Sequence, residues 1–276
     1  MGQRPQSRER MNGPEKKNII GILIDPVDRA TATELIIDAA HQRRRYAVSA
    51  VAVHAVMTGV LDPVQRYRLN HLDLAVADGQ PVRWALNFLH SAGLSQRVYG
   101  PDLTLDLLAR AEQEGLLVYF YGATQEILDR LCTNLQRRFP DLHVAGTAPS
   151  TFAPVSREAA DETASRIKQS GASIVFVGLG CPRQEVWAYE FAPRLNLPII
   201  AVGAAFPFLA GTLRQAPKWM QDRGLEWLFR LWSEPGRLWR RYLILSPPYF
   251  LLAFCQKLGV KFNPDGQAPR AEVLYG

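Results

Sequence analysis

Residues 171–180 read Gly-Ala-Ser-Ile-Val-Phe-Val-Gly-Leu-Gly. The wholly apolar run at 174–177 is the pattern of a strand buried on both faces. Gly178 and Gly180 follow at once, and Pro182 suits the first turn of a helix, where its missing N–H costs nothing. A strand, a glycine turn and a helix N-terminus bring free backbone N–H groups and a positive dipole end to one point, which favours an anion such as phosphate. Residues 197–202 repeat the pattern and end in Gly203. Two adjacent strand ends then face one crevice. The plainer reading, that these glycines only make tight turns, is weakened by their occurring twice, the first time with Gln184 and Glu185 behind them.

The rest of the chain follows the same grammar. Strands are expected at 18–24, 46–53, 72–77, 116–121 and 142–145. Helices are expected between them, one opened by a capping box at Thr31 and Glu34, others at Asp62-Pro63, Pro81, Pro101 and Ser156. The alternation predicts an α/β fold: a Rossmann-like, mostly parallel sheet with helices on both faces. Ligands bind such sheets at the carboxyl ends of the strands. Ser49, His54, Asp78, Gln80, Gly122, Thr124, Gly180 and Gln184 all fall just after strands or at their ends.

The 276 residues divide into four expected parts: a disordered tail at 1–17, the sheet domain at 18–213, an appendage at 214–262 and a loose tail at 263–276. The first tail is polar and basic, with no apolar core for a signal peptide. The three cysteines are far apart and form no C-x-x-C, so neither a disulfide framework nor a zinc site is suggested, and a reducing cytosol is the simplest setting. From Arg214 to Lys261 there are nine basic residues against three acidic ones, which accounts for the whole net charge of +6. This charge is mixed with Trp, Leu and Phe and with a helical apolar spacing at Leu225, Leu228, Phe229 and Trp232. Pro247 and Pro248 break the most apolar run, which is too short to span a bilayer. The segment suits a surface lying on an anionic membrane; alternatively its aromatics pack on the sheet domain and its arginines face water. An apolar tail of this kind can also drive homo-oligomers. A nucleic-acid partner would account for the charge but not the broken apolar run, and none is expected.

Asp78, between a strand and Gly79, can be a general base for a hydroxyl group, or equally the N-cap of the helix at Pro81. Cys181 has no histidine that can be named as its partner, and His54 is more simply structural. No Asp-x-Asp occurs to hold a metal on a diphosphate, so backbone N–H groups and arginines, with Arg230, Arg237 and Arg240 as candidates, would have to meet that charge. There is no P-loop, and Gly178-Leu-Gly180 lacks the third glycine of a dinucleotide fingerprint.

Several short motifs in fixed order carry a resemblance. They are Ala77-Asp-Gly-Gln-Pro81, Arg97-Val-Tyr-Gly100, Phe120-Tyr-Gly-Ala-Thr124, Val177-Gly-Leu-Gly-Cys-Pro-Arg-Gln-Glu185, Ala201-Val-Gly-Ala-Ala-Phe206, Ala216-Pro-Lys-Trp-Met220 and Gly224-Leu-Glu-Trp-Leu-Phe-Arg-Leu231. Over about residues 18–245 the chain resembles the WecG/TagA/CpsF glycosyltransferases, glycosyltransferase family 26. The resemblance implies an inverting, metal-independent transfer, with no cofactor, of N-acetylmannosamine or a relative. The donor would be a UDP-sugar and the acceptor a polyprenyl-diphosphate-linked sugar, at the cytoplasmic face of the cell membrane. It implies Asp78 as base with Ser49 nearby, and Gly122, Thr124, Gly180, Pro182, Gln184 and Glu185 around the donor. It brings Arg230, Arg237 and Arg240 over the diphosphate. Val51 stands where the family often has Asn, so the donor sugar is not given by the match. A non-catalytic membrane-surface component that binds a nucleotide sugar is the alternative function.

Overall fold

The computed structural model describes residues 14–276. Residues 1–13 of the expected N-terminal tail lie outside the described residues. The remainder of that segment is not tail. Lys16 is buried, its Nζ donating to the Leu72 carbonyl at 2.7 Å and lying 3.3 Å from the Asp25 carboxylate; a buried ammonium needs such partners. The chain then forms a hairpin of β1 (Lys17–Ile19) and β2 (Ile22–Ile24) rather than the single strand its apolar run suggests. Ile20 and Gly21 turn it, both with positive φ, as a two-residue hairpin loop of type I′ requires.

Beyond it come α1 (Arg29–His41), β3 (Tyr46–Val51), α2 (Val53–Leu61), α3 (Pro63–Asn70), β4 (Leu74–Ala77), α4 (Gln80–His90) and α5 (Gly100–Glu114). Next are β5 (Val118–Tyr121), α6 (Gln125–Arg138), β6 (Val144–Ala148), α7 (Arg157–Gln169), β7 (Ile174–Val177), α8 (Arg183–Leu195), β8 (Pro198–Ala201) and α9 (Ala205–Leu209). The N-cap of α1 is Asp28, which accepts from the Thr31 N–H at 2.8 Å, so the helix starts a turn earlier than the capping box at Thr31 implies. Ser156 and Asp62 cap α7 and α3 as expected.

Six strands form one parallel sheet in the order β4-β3-β8-β7-β5-β6. Successive residues of each central strand enter opposite cores. Val175 and Val177 pack into one apolar cluster and Ile174 and Phe176 into the other, and Ile199 and Ile200 divide the same way. This is why the strands read as unbroken apolar runs, and it establishes the expected α/β sandwich with helices on both faces.

The appendage comprises α10 (Lys218–Asp222), α11 (Glu226–Ser233), α12 (Pro235–Trp239), a π-helical turn (Arg240–Ile244) and α13 (Ser246–Lys257). It folds back on the sheet domain. Tyr249 of α13 is fully buried and donates its hydroxyl to the Pro81 carbonyl at 3.1 Å. Gln256 accepts from the Ile20 N–H and donates to the Asn18 carbonyl, both at 2.8 Å, and so ties α13 to the hairpin. No helix among the described residues is long and apolar enough to cross a membrane. The segment at 263–276, expected to be loose, is docked: Leu274 is buried in a core cluster and Tyr275 bridges Pro154. One buried leucine and a row of backbone hydrogen bonds hold it.

Candidate active site

The carboxyl ends of the strands open into a cleft of about 870 Å³. Across the sheet, its floor takes Phe152 after β6, Ala123 and Thr124 after β5, Gly178 to Gly180 after β7, Gly203 after β8, Ala52 and His54 after β3, and Asp78 after β4. The appendage closes over it with Arg223, Glu226, Arg230, Arg241 and Tyr242.

Asp78 leaves the end of β4 and turns its Oδ1 to the Gly100 N–H, 2.7 Å away at the start of α5. It does not cap α4, whose N-cap is Gly79 without a side-chain bond. Of its two sequence readings the helix cap is therefore not the one observed. Burial holds the Asp78 carboxyl above the usual carboxylate range, against the pull of Arg97 and of the Gly100 N–H; Glu226 adds to the rise and Arg230 opposes it. A carboxylate with raised proton affinity beside an open cleft is suited to taking a proton. Arg97 grips Glu226 at 2.5 Å, and the Tyr99 hydroxyl donates to the other oxygen of Glu226 at 3.0 Å. The Arg97 guanidinium also lies 4.1 Å from the Tyr99 ring centroid. Burial works against the Arg97 charge, but Glu226 and Asp78 together outweigh it.

At the glycine end a buried polar chain braces the floor. Ser49 donates to Glu185 Oε1 at 3.1 Å, and Gln184 donates to the same oxygen at 2.9 Å. Gln184 Oε1 accepts the Gly180 N–H at 3.1 Å. Gly203 leaves room for this amide, since a Cβ there would lie 2.6 Å from Gln184 Oε1. Glu185 is fully buried, and burial raises its carboxyl; Oε2 has no hydrogen-bond partner. Burial also pushes the Cys181 thiol well up, aided by Glu185, so a thiolate nucleophile is not what this site prepares. His54 is lowered to about 4, by burial first and then by Arg241, and is therefore neutral.

The roof carries positive charge. Arg230 has its Nε buried without a partner and meets Glu234 only at 4.0 Å. Arg241 lines the cleft; burial lowers its proton affinity and neighbouring Arg230 acts the same way. Among the described residues no carboxylate pairs with Arg241, and no three His, Cys, Asp or Glu side chains cluster as metal ligands.

Residues 17–263 match the family model described as "Glycosyl transferase WecG/TagA/CpsF family". The chain belongs to the WecG/TagA/CpsF glycosyltransferase family.

Within this glycosyltransferase the structure redistributes several expected roles. Asp78, Thr124, Gly180, Gln184, Glu185 and Arg230 all line the cleft. Thr124 does so as the N-cap of α6, accepting from the Ile127 N–H at 3.4 Å. Ser49 does not reach the cleft; it is fully buried behind Glu185 and holds that side chain. Gly122 does not line the cleft. Its N–H is already bound to the Ala148 carbonyl at 2.9 Å, and its positive φ serves a close approach to Leu179 and Gly178. Pro182 is the N-cap of α8, one residue before the first turn, and does not line the cleft. Arg240 points outward over Trp239, 5.3 Å from its ring centroid, whereas Arg241 faces in. Leu238 is the buried residue of this stretch, and Arg241 lies three positions on, on the same side, while Arg240 lies two on. The side chain of Arg237 lies outside the described residues. Arg97, Tyr99, Glu226 and Arg241 were not singled out from sequence. All four stand inside motifs of the resemblance, Arg241 in the run Glu234-Pro-Gly-Arg-Leu-Trp-Arg-Arg-Tyr242, which was the available signal.

Proposed function

We propose that this glycosyltransferase inverts the anomeric centre of an N-acetylhexosamine-type sugar as it moves it from a UDP donor to a polyprenyl-diphosphate-linked sugar. Asp78 takes the proton of the acceptor hydroxyl as its oxygen attacks the anomeric carbon. The bond from that carbon to the UDP oxygen breaks on the opposite face, and the electron pair leaves with UDP. Arg230 and Arg241 offset the charge growing on the diphosphate. Positive charge held in an enclosed site ahead of the reaction acts without reorganising.

The observation that carries this reading is Asp78: enclosed except towards the cleft, raised in proton affinity and facing a roof of arginines. A lipid-linked acceptor is supported by the cleft's outer rim, where Trp84, Trp227, Leu243 and Phe250 both line the opening and remain exposed. Leu251, Phe254 and Leu258 are also exposed, as is Trp232 at 89%, and exposed apolar surface of this extent marks a membrane or partner surface. The protein then works at the inner face of the membrane, held at its surface. The test is a screen of UDP-sugars against a short polyprenyl-diphosphate-sugar acceptor, with product read by mass. Transfer from one UDP-sugar, absent in Asp78→Asn, is the expected result. No transfer from any UDP-sugar would sink the proposal.

A further inference from the structure

Phe152 stands at the far end of the cleft from Asp78, and no motif or role accounts for it. It follows β6, at one edge of the sheet, while Asp78 follows β4, at the other. It is half-buried, lines the cleft and has the Arg183 guanidinium 5.8 Å from its ring centroid. Its backbone has φ of 58°, a left-handed conformation that a bulky residue adopts only when its surroundings impose it.

The surroundings that impose it come from the end of the chain. The Phe152 N–H donates to the Gly276 main-chain oxygen at 3.0 Å, and the Gly276 N–H donates to the Ala153 carbonyl at 3.0 Å. Ser150 and Thr151 also donate their hydroxyls to Gly276. The Val155 N–H bonds the Leu274 carbonyl at 2.9 Å, and Glu272 is anchored by Arg194 at 2.8 Å. A side chain at position 276 would run into Val155. In each of these contacts one partner, within residues 272–276, lies beyond the 17–263 that the family model spans. This is a large investment of backbone pairing in one exposed loop, and its product is a fixed aromatic ring on the cleft wall.

Read along the floor, the order is Phe152, then Thr124 at the start of α6, then Gly180, then Gly203, and finally Asp78. A nucleotide donor whose sugar lies at Asp78, and whose diphosphate lies over the middle strands, places its base at Phe152. We infer that Phe152, held in place by residues 272–276, is the stacking platform for the aromatic base of the donor. Base-on-aromatic stacking needs a ring that is held in place and reaches the ligand, with a cation close by; Phe152 lines the cleft and has the Arg183 guanidinium 5.8 Å from its centroid. The inference rests on the nucleotide-sugar reading of the cleft.

Titration calorimetry of the full chain with UDP, and separately with inorganic pyrophosphate, tests it. Phe152→Ala weakens UDP about tenfold and leaves pyrophosphate unchanged. Phe152→Trp retains UDP affinity and shows that the site still folds. Ending the chain after Pro269 keeps the ring but frees its loop, and weakens UDP in the same selective way. UDP binding equally well to Phe152→Ala and to the unaltered chain overturns the inference and leaves the donor reading standing, as does equal loss of pyrophosphate. UDP failing to bind the unaltered chain overturns the donor reading, and this inference with it.

Discussion

Arg97 is held between two carboxylates, gripping Glu226 at 2.5 Å across 129 residues of chain while its charge also acts on Asp78. The guanidinium thus joins the roof of the cleft to its floor.

Asp78→Asn should cut turnover by about 10²- to 10⁴-fold, the range of general-base catalysis, while the fold survives. An amide oxygen can still accept the Gly100 N–H. Initial rates alongside a circular-dichroism melt check both halves, and a variant at full rate would remove the base assignment.

The same substitution should raise stability, in a pH-dependent way. Asp78 binds its proton more tightly folded than at its ordinary value of 3.8, so the folded state holds the extra proton inside that window. Stability therefore falls as pH rises through the window, and ionised Asp78 costs the fold most above it. Asp78→Asn escapes that cost. Its Tm should exceed that of the unaltered protein on the alkaline side, with the gap closing as pH falls towards 3.8. For the reaction, the acid limb of kcat/KM should lie above the ordinary aspartate range.

Arg241→Ala and Arg240→Ala should part company. Loss of one charge that stabilises a leaving group costs about 10²-fold in kcat, and Arg241 faces the cleft while Arg240 stacks outside on Trp239. Equal effects of the two on kcat would contradict the inward assignment of Arg241.

Glu226→Ala should loosen the roof. It leaves Arg97 charged, enclosed and without its closest partner, and removing one member of a buried ion pair costs about 3–5 kcal/mol. Limited proteolysis should then cut between the sheet domain and the appendage faster, with little change in the sheet domain itself.

The double variant Leu251→Glu, Phe254→Glu should lose vesicle binding. Each side chain is more than half exposed, and burying a large apolar side chain is worth about 1.5–3 kcal/mol. Sedimentation with anionic vesicles reads this directly, and unchanged sedimentation would mean the face is not the membrane surface.

The parallel sheet was legible because strands buried on both faces read as near-continuous apolar runs, and Ile174 to Val177 advertise that at once. The cleft's floor followed from it, since strand ends set where Asp78 and Gly180 line it. The hairpin was hidden because Ile20 turns at positive φ inside an apolar run, where no turn residue precedes Gly21. The docked end of the chain was hidden because its apolar run, Val273-Leu-Tyr275, is only three residues long, and backbone pairing leaves no mark on composition. Arg240 and Arg241 are adjacent and alike; only the helical phase set by Leu238 separates them. Glu226 looked like one of the few acids in a basic segment, and its partners Arg97 and Tyr99 are too distant in sequence for any local pattern to join them.

The roof also acts on the proton affinity of Asp78. With α11 in place, Asp78 is enclosed and has Glu226 near it, and both raise its proton affinity; the roof arginines Arg230 and Arg241 work the other way. With α11 lifted, water returns, Glu226 departs and Arg97 is left to Asp78 alone. The segment that covers the cleft therefore also tunes the carboxylate beneath it, and Glu226 acts on Asp78 from across the opening as well as bracing Arg97.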